Sequence, residues 1–284
     1  MPAEPPVESP TSLTQAYDLL GAGDGWRPIA GGTDLMVQIT GELALPPERV
    51  LDLWRLDELR GINYDNGWLV IGALTTYTEM RGSELCSQHL PAMVEAAATI
   101  GAAQIQNRGT IGGNVANASP AGDTLPVLLA TDAQIILGSA AGERAVAAAA
   151  FWTGYRQTAR RSDELVVRVA IPLPRGRQVR FRKVGTRRAQ AISKVVMSLS
   201  WREDAGVWRD VRLALGSVAA TPIRATKTER VMEGAAPRRE TADHAAATVA
   251  NEIQPIDDVR STADYRRVVT ARILHRLLRE AGGW

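Results

Sequence analysis

The stretches "IAGGTDLMVQI" (residues 29–39) and "RGTIGGNVANASPAGD" (residues 108–123) each contain a pair of glycines followed by a small polar residue. Glycine is favoured where the backbone takes a positive φ or lies close to a ligand, because a Cβ atom would clash there. Consecutive glycines can direct several main-chain N–H groups to one point and form an anion-binding concavity. The two stretches therefore predict two turns that grip one pyrophosphate, although each pair alone is also typical of an ordinary turn.

The familiar phosphate-binding motifs are missing from the sequence or fit it poorly. No G-x-x-x-x-G-K-[ST] segment occurs, and "GAGDG" (residues 21–25) lacks the spacing of a dinucleotide fingerprint and follows a predicted helix. These observations disfavour a nucleotide hydrolase and favour a dinucleotide held by another loop architecture. Asp123, which ends the second stretch, is expected either to cap the next helix or to accept a hydrogen bond from a ligand.

The composition is that of an ordinary globular protein. Hydrophobic residues make up 45% and charged residues 23% of the 284 residues, a length that suggests about two domains. No apolar run approaches the ~20 residues that a membrane helix needs. The stretch "MPAEPPVESP" (residues 1–10) has no secretory signal pattern. We expect no membrane span and a cytoplasmic location.

The two halves of the chain carry opposite charge. Residues 1–150 contain 7 Lys and Arg against 17 Asp and Glu, whereas residues 151–284 contain 26 against 14. This asymmetry fits either a partner-binding half or two solvated faces. The basic stretch "RGRQVRFRKVGTRR" (residues 175–188) keeps a nucleic-acid-binding module as a remote alternative, but only 5% of the residues are aromatic. We expect no nucleic-acid partner.

The single cysteine, Cys86, limits the redox chemistry that the chain can perform alone. It cannot supply the four thiolates that usually hold an iron–sulfur cluster, so any such cluster belongs to another chain. The three histidines, His89, His244 and His275, are expected to be surface or packing residues. The sequence therefore predicts no metal site and no catalytic acid or base.

Hydrophobic periodicity changes near residue 174. Before it, short helices alternate with apolar strands such as "GWLVIGA" (residues 67–73) and "DELVVRVAIPLP" (residues 163–174). After it, three successive strands predict an antiparallel sheet, which three helices follow. We predict an N-terminal domain over residues 1–174, with subdomains of about 1–58 and 59–174, and a C-terminal domain over residues 175–284.

Three details of this interpretation can be compared directly with a structure. Thr221 is the expected N-cap of the first C-terminal helix, with Pro222 in its first turn. Trp54 is expected in the core. The last helix has a predicted apolar stripe formed by Tyr265, Val269, Ile273 and Leu277.

Four segments together resemble one family. They are "IAGGTDL", "IGALTT", "RGTIGGNVANASPAGDTLPVLLATDA" and "FRKVGTRRAQAISKV". These segments resemble the FAD-binding medium subunit of molybdenum hydroxylases, the group that includes xanthine dehydrogenase and carbon monoxide dehydrogenase. The resemblance implies an α+β fold: a FAD-binding domain of the vanillyl-alcohol-oxidase type, made of two α/β subdomains, followed by a C-terminal antiparallel sheet with helices.

The resemblance also implies which residues bind FAD. The first glycine stretch corresponds to one FAD loop and residues 110–114 to the second. Asp123 corresponds to a further FAD contact, and Ile100, Val166 and Lys183 correspond to positions that line the flavin. Lys183 is either a cation beside the flavin ring or a solvated strand lysine. The implied site residues are Ile29, Ala30, Gly31, Gly32, Thr33, Asp34, Leu35, Ile100, Thr110, Ile111, Gly112, Gly113, Asn114, Asp123, Val166 and Lys183.

The function that the resemblance implies is electron transfer. Such a subunit takes electrons from [2Fe-2S] clusters of a small partner subunit and passes them to an external acceptor, while a large partner subunit carries the molybdenum cofactor. The expected assembly is a dimer of heterotrimers. The alternative from the same broad class is a stand-alone flavin-dependent reductase or oxidase with its own substrate pocket, which usually needs a positioned acid or base.

The chain departs from the family after the Lys183 position. Relatives of the xanthine dehydrogenase type often carry acidic residues there, whereas this chain has Gln190 and Ala191. Because charge near a flavin alters its reduction potential, this segment is expected to influence the choice of acceptor. The acceptor therefore stays open between NAD, a quinone, oxygen and others.

Overall fold

The computed structural model describes residues 5–41, 45–187 and 190–284. The first subdomain is a three-stranded sheet in the order β1-β3-β2, in which both neighbouring pairs are parallel. Its elements are β1 (Val7–Glu8), α1 (Leu13–Gly21), β2 (Trp26–Ile29), α2 (Leu35–Thr40), β3 (Arg49–Asp52) and the 3-10 turn Asp57–Leu59.

The second subdomain is built on a five-stranded antiparallel sheet in the order β4-β5-β10-β6-β7. The strands are β4 (Ile62–Asp65), β5 (Trp68–Gly72), β6 (Gln134–Ser139), β7 (Gly142–Ala147) and β10 (Leu165–Pro172); β8 (Trp152–Gly154) pairs separately with β9 (Gln157–Thr158). The helices are α3 (Tyr77–Gly82), α4 (Glu84–His89), α5 (Pro91–Ala98), α6 (Ala103–Arg108), α7 (Ile111–Asn117), α8 (Leu125–Ala130) and α9 (Ala148–Phe151). The last strand, β10, lies at the centre of this sheet and completes it.

The C-terminal part is a four-stranded antiparallel sheet in the order β11-β12-β13-β14, covered by helices. Its elements are β11 (Gln178–Val184), β12 (Val195–Asp204), β13 (Val207–Gly216), β14 (Ile223–Arg224), α10 (Thr226–Met232), α11 (Arg239–Glu252) and α12 (Ala263–Gly282). The expected α+β fold with a C-terminal antiparallel sheet is confirmed.

Side-chain caps begin several helices at the residues that the sequence marks. The Ser12 hydroxyl accepts from the Gln15 N–H in the first turn of α1, and the Thr262 hydroxyl accepts from the Tyr265 N–H in the first turn of α12. Thr76 and Glu79 form a reciprocal capping box at the start of α3. Thr110 caps α7 by accepting from the Gly113 N–H at 3.1 Å. These caps fix where the short helices start around the glycine segments.

Apolar packing joins the three parts. The largest cluster of buried residues belongs to the second subdomain, but it includes Phe181, Val196 and Ala214 from the C-terminal sheet. Leu165 and Val167 of β10 belong instead to the cluster of the first subdomain. Each junction between two parts is therefore lined with side chains that are removed from water on both sides.

A chain of charges adds to the contact between the second subdomain and the C-terminal sheet. The Asp132 carboxylate, just after α8, forms ion pairs with Arg212 of β13 and with Arg224 of β14, the latter at 3.2 Å. Arg224 is also paired with Glu229 of α10 at 2.5 Å. The alternation of signs lets each charge have an opposite neighbour.

The expected start of the first C-terminal helix is wrong. Residues 223–224 form strand β14, which pairs with β13, and α10 begins at Thr226 with Ala225 as its N-cap. Thr221 and Pro222 therefore precede a short strand. A strand forms here because the backbone of Ile223 and Arg224 pairs with β13 at the edge of the sheet. Local capping signals do not reveal such a distant pairing partner.

The expected stripe of α12 is confirmed in part, and Trp54 is not a core residue. Leu277 is buried in the core, and Val269 and Ile273 pack against it, whereas Tyr265 is 43% exposed. The buried face also includes Arg266, Thr270 and Leu274. Trp54 is half-buried with its ring between two guanidinium groups, 3.7 Å from that of Arg108 and 4.6 Å from that of Arg60. Cation–π stacking therefore replaces apolar burial at this position.

The two glycine stretches meet at Gly31. A Cβ atom on Gly31 would lie 1.7 Å from the carbonyl oxygen of Arg108, the residue that ends α6 just before the second stretch. No side chain fits at that distance, so the approach of the two backbones requires glycine. The contact brings the start of α2 next to the start of α7.

We expect Gly31→Ala to separate the two glycine stretches, because the added methyl group overlaps backbone atoms that cannot rotate away. The free energy of unfolding, measured by urea denaturation, should fall by about 1–3 kcal/mol, the usual cost of overpacking. Gly82→Ala is the matched control, since nothing lies within 4 Å of its Cβ position at the end of α3. Equal stability of the two variants would contradict the packing role of Gly31.

Candidate functional site

A cleft of about 330 Å³ lies between the first and second subdomains, and we call it the glycine cleft. The structure places most of the predicted site residues on its walls. They are Ile29, Ala30, Gly31, Gly32, Thr33, Asp34, Leu35, Ile100, Thr110, Gly112, Gly113, Asn114 and Val166. The sequence stretches that contain the glycine pairs thus line a common cavity.

The first glycine stretch forms a turn with free donors. Among the described residues, none accepts a hydrogen bond from the N–H groups of Gly31, Gly32, Thr33 or Asp34. Gly32 has a φ of +74°, and its carbonyl accepts the Met36 N–H at 3.0 Å, so the turn leads directly into α2. Consecutive unbonded N–H groups at a cleft wall are what an anion-binding turn requires.

The second glycine stretch is not a turn, which corrects the sequence-based prediction. Gly112 and Gly113 lie in the first turn of α7, and the N–H of Gly112 donates to Ala73 O at 2.8 Å. A Cβ atom on Gly112 would lie 2.6 Å from the Cβ of Ala73. Gly112 is therefore glycine because α7 packs tightly on the end of β5, whereas Gly113 has only Thr110 and Ala30 near its Cβ position.

Ile111 is the one predicted loop residue that the structure keeps away from both clefts described in this section. Its side chain is fully buried in the core of the second subdomain. Its N–H already donates to Thr75 O at 3.1 Å. We therefore correct its role from cofactor contact to core packing residue.

Two arginines on the wall of the glycine cleft escaped the sequence-based interpretation. Arg27 is exposed and forms no ion pair with any described residue, and Arg160 bonds only to main-chain carbonyl groups, among them Glu164 O at 2.6 Å. Burial lowers the pKa of Arg160, and the charge of Arg27 lowers it further. Strand alternation could have identified Arg27 as a wall residue, because it puts Arg27 on the same face of β2 as Ile29.

A second cleft of about 860 Å³ lies between the second subdomain and the C-terminal sheet, and we call it the junction cleft. It continues from the glycine cleft, since both are lined by Asp34, Ile100, Ile105, Asn114 and Asn117. The predicted residues Asp123 and Lys183 lie here, as do Gln190 and Ala191 of the loop after β11. The predicted site residues are thus divided between two connected clefts.

A buried polar cluster crosses the junction cleft. Lys183 Nζ lies 2.5 Å from Asp123 Oδ2 and donates to Thr99 O at 3.0 Å. Asp123 also accepts from the hydroxyl groups of Ser193 and Thr99. Asp123 therefore does not cap α8, whose N-cap Thr124 makes no side-chain capping bond and donates instead to Asn114 Oδ1 at 2.5 Å. Lys183 is not a solvated strand lysine, since its side chain is only 8% exposed.

The electrostatics of this cluster balance two opposing effects. Burial raises the pKa of the Asp123 carboxyl. The Lys183 ammonium lowers it, and so do the hydrogen bonds from Lys183, Ser193 and Thr99. Because the ammonium and the carboxylate come from opposite walls, this pair fixes the position of β11 relative to the loop before α8.

The histidines line neither cleft, and the aromatic residue of the basic strand is buried. His89 stacks on Tyr64 with ring centroids 3.6 Å apart, and His275 bonds to Asp243 at 3.1 Å. Phe181, the aromatic residue of the basic strand β11, is 3% exposed and cannot stack on a nucleic-acid base. Within the part of the chain that the structure describes, no group of His, Cys, Asp and Glu is arranged to hold a metal ion.

Comparison with protein families identifies the class of protein that this fold and these clefts belong to. Residues 4–174 match the family described as "FAD binding domain in molybdopterin dehydrogenase", and residues 180–281 match "CO dehydrogenase flavoprotein C-terminal domain". The chain therefore belongs to the FAD-binding subunits of molybdenum hydroxylases. Its cofactor is FAD, and it is an oxidoreductase subunit.

Individual relatives agree with this assignment. The chain is 34% identical to the glyceraldehyde dehydrogenase medium chain of Sulfolobus acidocaldarius, over 95% of each chain. It is 31% identical to the carbon monoxide dehydrogenase medium chain of Hydrogenophaga pseudoflava, over 96% of this chain and 95% of the relative. A solved carbon monoxide dehydrogenase from Hydrogenophaga pseudoflava superposes with a TM-score of 0.92 at 30% identity, covering 97% of this chain and 96% of that one.

The same architecture occurs in an enzyme that acts on another substrate. Quinoline 2-oxidoreductase from Pseudomonas putida 86 superposes with a TM-score of 0.92 at 26% identity, covering 99% of this chain and 98% of that one. The fold is therefore shared by relatives with different names and substrates.

Among the described residues, no helix is both long enough and apolar enough to cross a membrane.

Lys183→Met should leave the Asp123 carboxylate buried without its cation. We expect the free energy of unfolding to fall by about 3–5 kcal/mol at roughly pH 8. The pKa of Asp123 is already raised by burial, and loss of Lys183 raises it further, so the folded variant binds a proton where the unfolded chain is ionised. The deficit should therefore grow as the pH rises and shrink as it falls.

Urea unfolding at several pH values measures this dependence. The double variant Asp123→Asn, Lys183→Met is the control, because it removes the buried charge together with its partner and should recover much of the lost stability. A deficit that is independent of pH, or a double variant as unstable as Lys183→Met, would show that Asp123 is not the group responsible.

Proposed function

We propose that this chain is the electron-transfer subunit of a molybdenum hydroxylase complex, taking electrons from [2Fe-2S] clusters of a partner and passing them to an external acceptor. The observation that carries the proposal is the turn of unbonded N–H groups at Gly31–Asp34, which opens into a cleft that continues to a buried ion pair. A dinucleotide with a diphosphate in its middle fits such a pair of connected clefts. The residues present are therefore compatible with FAD.

We assign the diphosphate of FAD to the glycine cleft. Its negative charges are offset by the free N–H groups of residues 31–34 and by the cations Arg27 and Arg160. The open side of Gly113 leaves space beside Ala30 for the same group. Ile29, Leu35 and Val166 supply apolar walls.

We assign the flavin end to the junction cleft, where Ile100, Asp123 and Lys183 are the predicted contacts. When bound, the flavin supplies the chemistry, since it exchanges single electrons with iron–sulfur clusters and two electrons with an acceptor. The chain positions it, excludes water with walls from two sheets and holds the fixed charges of Lys183 and Asp123 nearby. None of its residues is assigned as a catalytic acid or base.

The partners follow from the relatives and from the cysteine count. Relatives are named as medium chains of carbon monoxide and glyceraldehyde dehydrogenases. With one cysteine, Cys86, which is buried, this chain needs a small [2Fe-2S] subunit as electron donor and a large molybdenum-cofactor subunit for substrate oxidation. We propose a dimer of such heterotrimers in the cytoplasm, with domains over 1–174 and 175–284.

The acceptor is expected to approach the junction cleft, where the loop after β11 lies. Gln190 and Ala191 line this cleft. They belong to the segment in which relatives of the xanthine dehydrogenase type often have acidic residues. An uncharged pair leaves the positive charge of Lys183 and Arg187 less compensated than an acidic pair would. We propose that this loop influences the flavin potential and thereby the choice of acceptor.

Gly113→Val should block flavin binding without unfolding the chain, because the added side chain extends into the glycine cleft between Thr110 and Ala30. We expect the purified variant to be colourless while the wild type shows the visible absorption of bound FAD. Gly82→Val, at an open helix position, is the control and should stay yellow. Retention of the yellow flavin colour by Gly113→Val would contradict the assignment of the diphosphate to this wall of the cleft.

The relay itself is tested with the flavin-loaded protein under anaerobic conditions. A reduced [2Fe-2S] ferredoxin, offered as the electron donor, should bleach the visible flavin absorption. NAD, a quinone and oxygen are then compared for the rate at which they restore it. Rapid bleaching by a small organic substrate, with none by the ferredoxin, would instead favour the stand-alone reductase or oxidase.

A further inference from the structure

Tyr77 is a buried tyrosine that none of the motifs or assigned contacts explains. It is the first residue of α3, and it is 4% exposed within the core of the second subdomain. It also lines the glycine cleft. A tyrosine that only fills a core is usually interchangeable with an apolar residue, and a buried tyrosine hydroxyl normally has a hydrogen-bond partner.

The position of Tyr77 is tightly fixed by the segment before α7. Its N–H donates to Gly109 O at 3.1 Å. Its ring lies so close to Gly109 that a Cβ atom there would be 2.6 Å from Tyr77 Cε2. The ring therefore packs directly on the Gly109 backbone, just before the start of α7.

The Tyr77 hydroxyl has no hydrogen-bond partner among the described residues. It is not completely buried, so a ligand in the cleft can reach it. The small accessible part of the residue faces the glycine cleft. Burial raises the pKa of Tyr77, and the nearby carboxylates of Asp123 and Asp34 raise it further. The phenol thus remains protonated and can donate one hydrogen bond into the cleft.

The contacts of the ring locate Tyr77 along the connected clefts. A Cβ atom on Gly109 would lie 2.6 Å from Tyr77 Cε2 and 2.9 Å from the carbonyl oxygen of Ile105. Ile105 lines both the glycine cleft and the junction cleft, whereas Tyr77 lines the glycine cleft. Tyr77 therefore lies beside the segment that the two clefts share, between the place assigned to the diphosphate and the place assigned to the flavin ring.

We propose that the Tyr77 hydroxyl is a cofactor-binding group that donates a hydrogen bond to an oxygen of the ribityl chain, the sugar alcohol that joins the diphosphate of FAD to its ring. The proposal rests on the proposed function. The proposal assigns a role to Tyr77 in the "TTY" segment (residues 75–77), in which Thr76 serves as the N-cap of α3. The hydrogen bond would complete the donor capacity that the protein alone leaves unused.

The test compares FAD with ADP, which contains the diphosphate but lacks the ribityl chain and the ring. Dissociation constants are measured on flavin-free protein by fluorescence titration with FAD and by competition with ADP. Tyr77→Phe should weaken FAD binding by about three- to tenfold, the value of one neutral hydrogen bond. It should leave the ADP constant and the melting temperature unchanged.

Tyr17→Phe is the matched control, because Tyr17 is a half-buried tyrosine of α1 that packs near Gly138 and lines neither cleft. It should bind FAD like the wild type. Unchanged FAD affinity of Tyr77→Phe, or an equal loss for ADP, would overturn the assignment of Tyr77 alone. A wild-type chain that binds no FAD would overturn the proposed function together with it.

Discussion

The close approach of Gly31 to the carbonyl group of Arg108 is the constraint on which the glycine cleft depends. Two backbones meet where no side chain fits, and this contact sets the start of α2 beside the start of α7. The Arg108 side chain also stacks on Trp54, two residues after β3, with 3.7 Å between the guanidinium carbon and the ring centroid. The unbonded N–H groups of the first turn therefore belong to a cleft wall, where an anion interacts with them more strongly than in open solvent.

Electrostatic pairing has a comparable role at the second junction. The Asp123–Lys183 pair and the charges around Asp132 both cross from the second subdomain to the C-terminal sheet. The Asp123–Lys183 pair is buried, so removing either partner leaves an uncompensated charge and is costly. The Asp132 side chain is 40% exposed, and water weakens its ion pairs. Phe181 and Val196 supply buried apolar area, and the ion pairs add charge complementarity between the two surfaces.

Local signals in the sequence were sufficient for apolar strands such as β5 and β10 and for the antiparallel sheet of the C-terminal part. They failed where a distant partner decides the outcome. The two glycine pairs look alike locally, yet one forms a turn and the other a helix, because Ala73 packs against Gly112. Arg266 is buried on α12 because two of its guanidinium nitrogens donate to Ser217 O and to the Asp258 carboxylate. The first of these partners is 49 residues away in the sequence.

The division of the junction cleft between two sheets has a consequence for biosynthesis. Thr99 and Asp123 are translated well before Lys183 and Ser193, which complete the same cluster from the other wall. A ribosome-bound chain that ends before β11 lacks Lys183 and Ser193, so one wall of the pocket is exposed to solvent. Capture of the flavin is therefore expected to follow release of most of the polypeptide, so maturation of the holoprotein would be a late event in assembly.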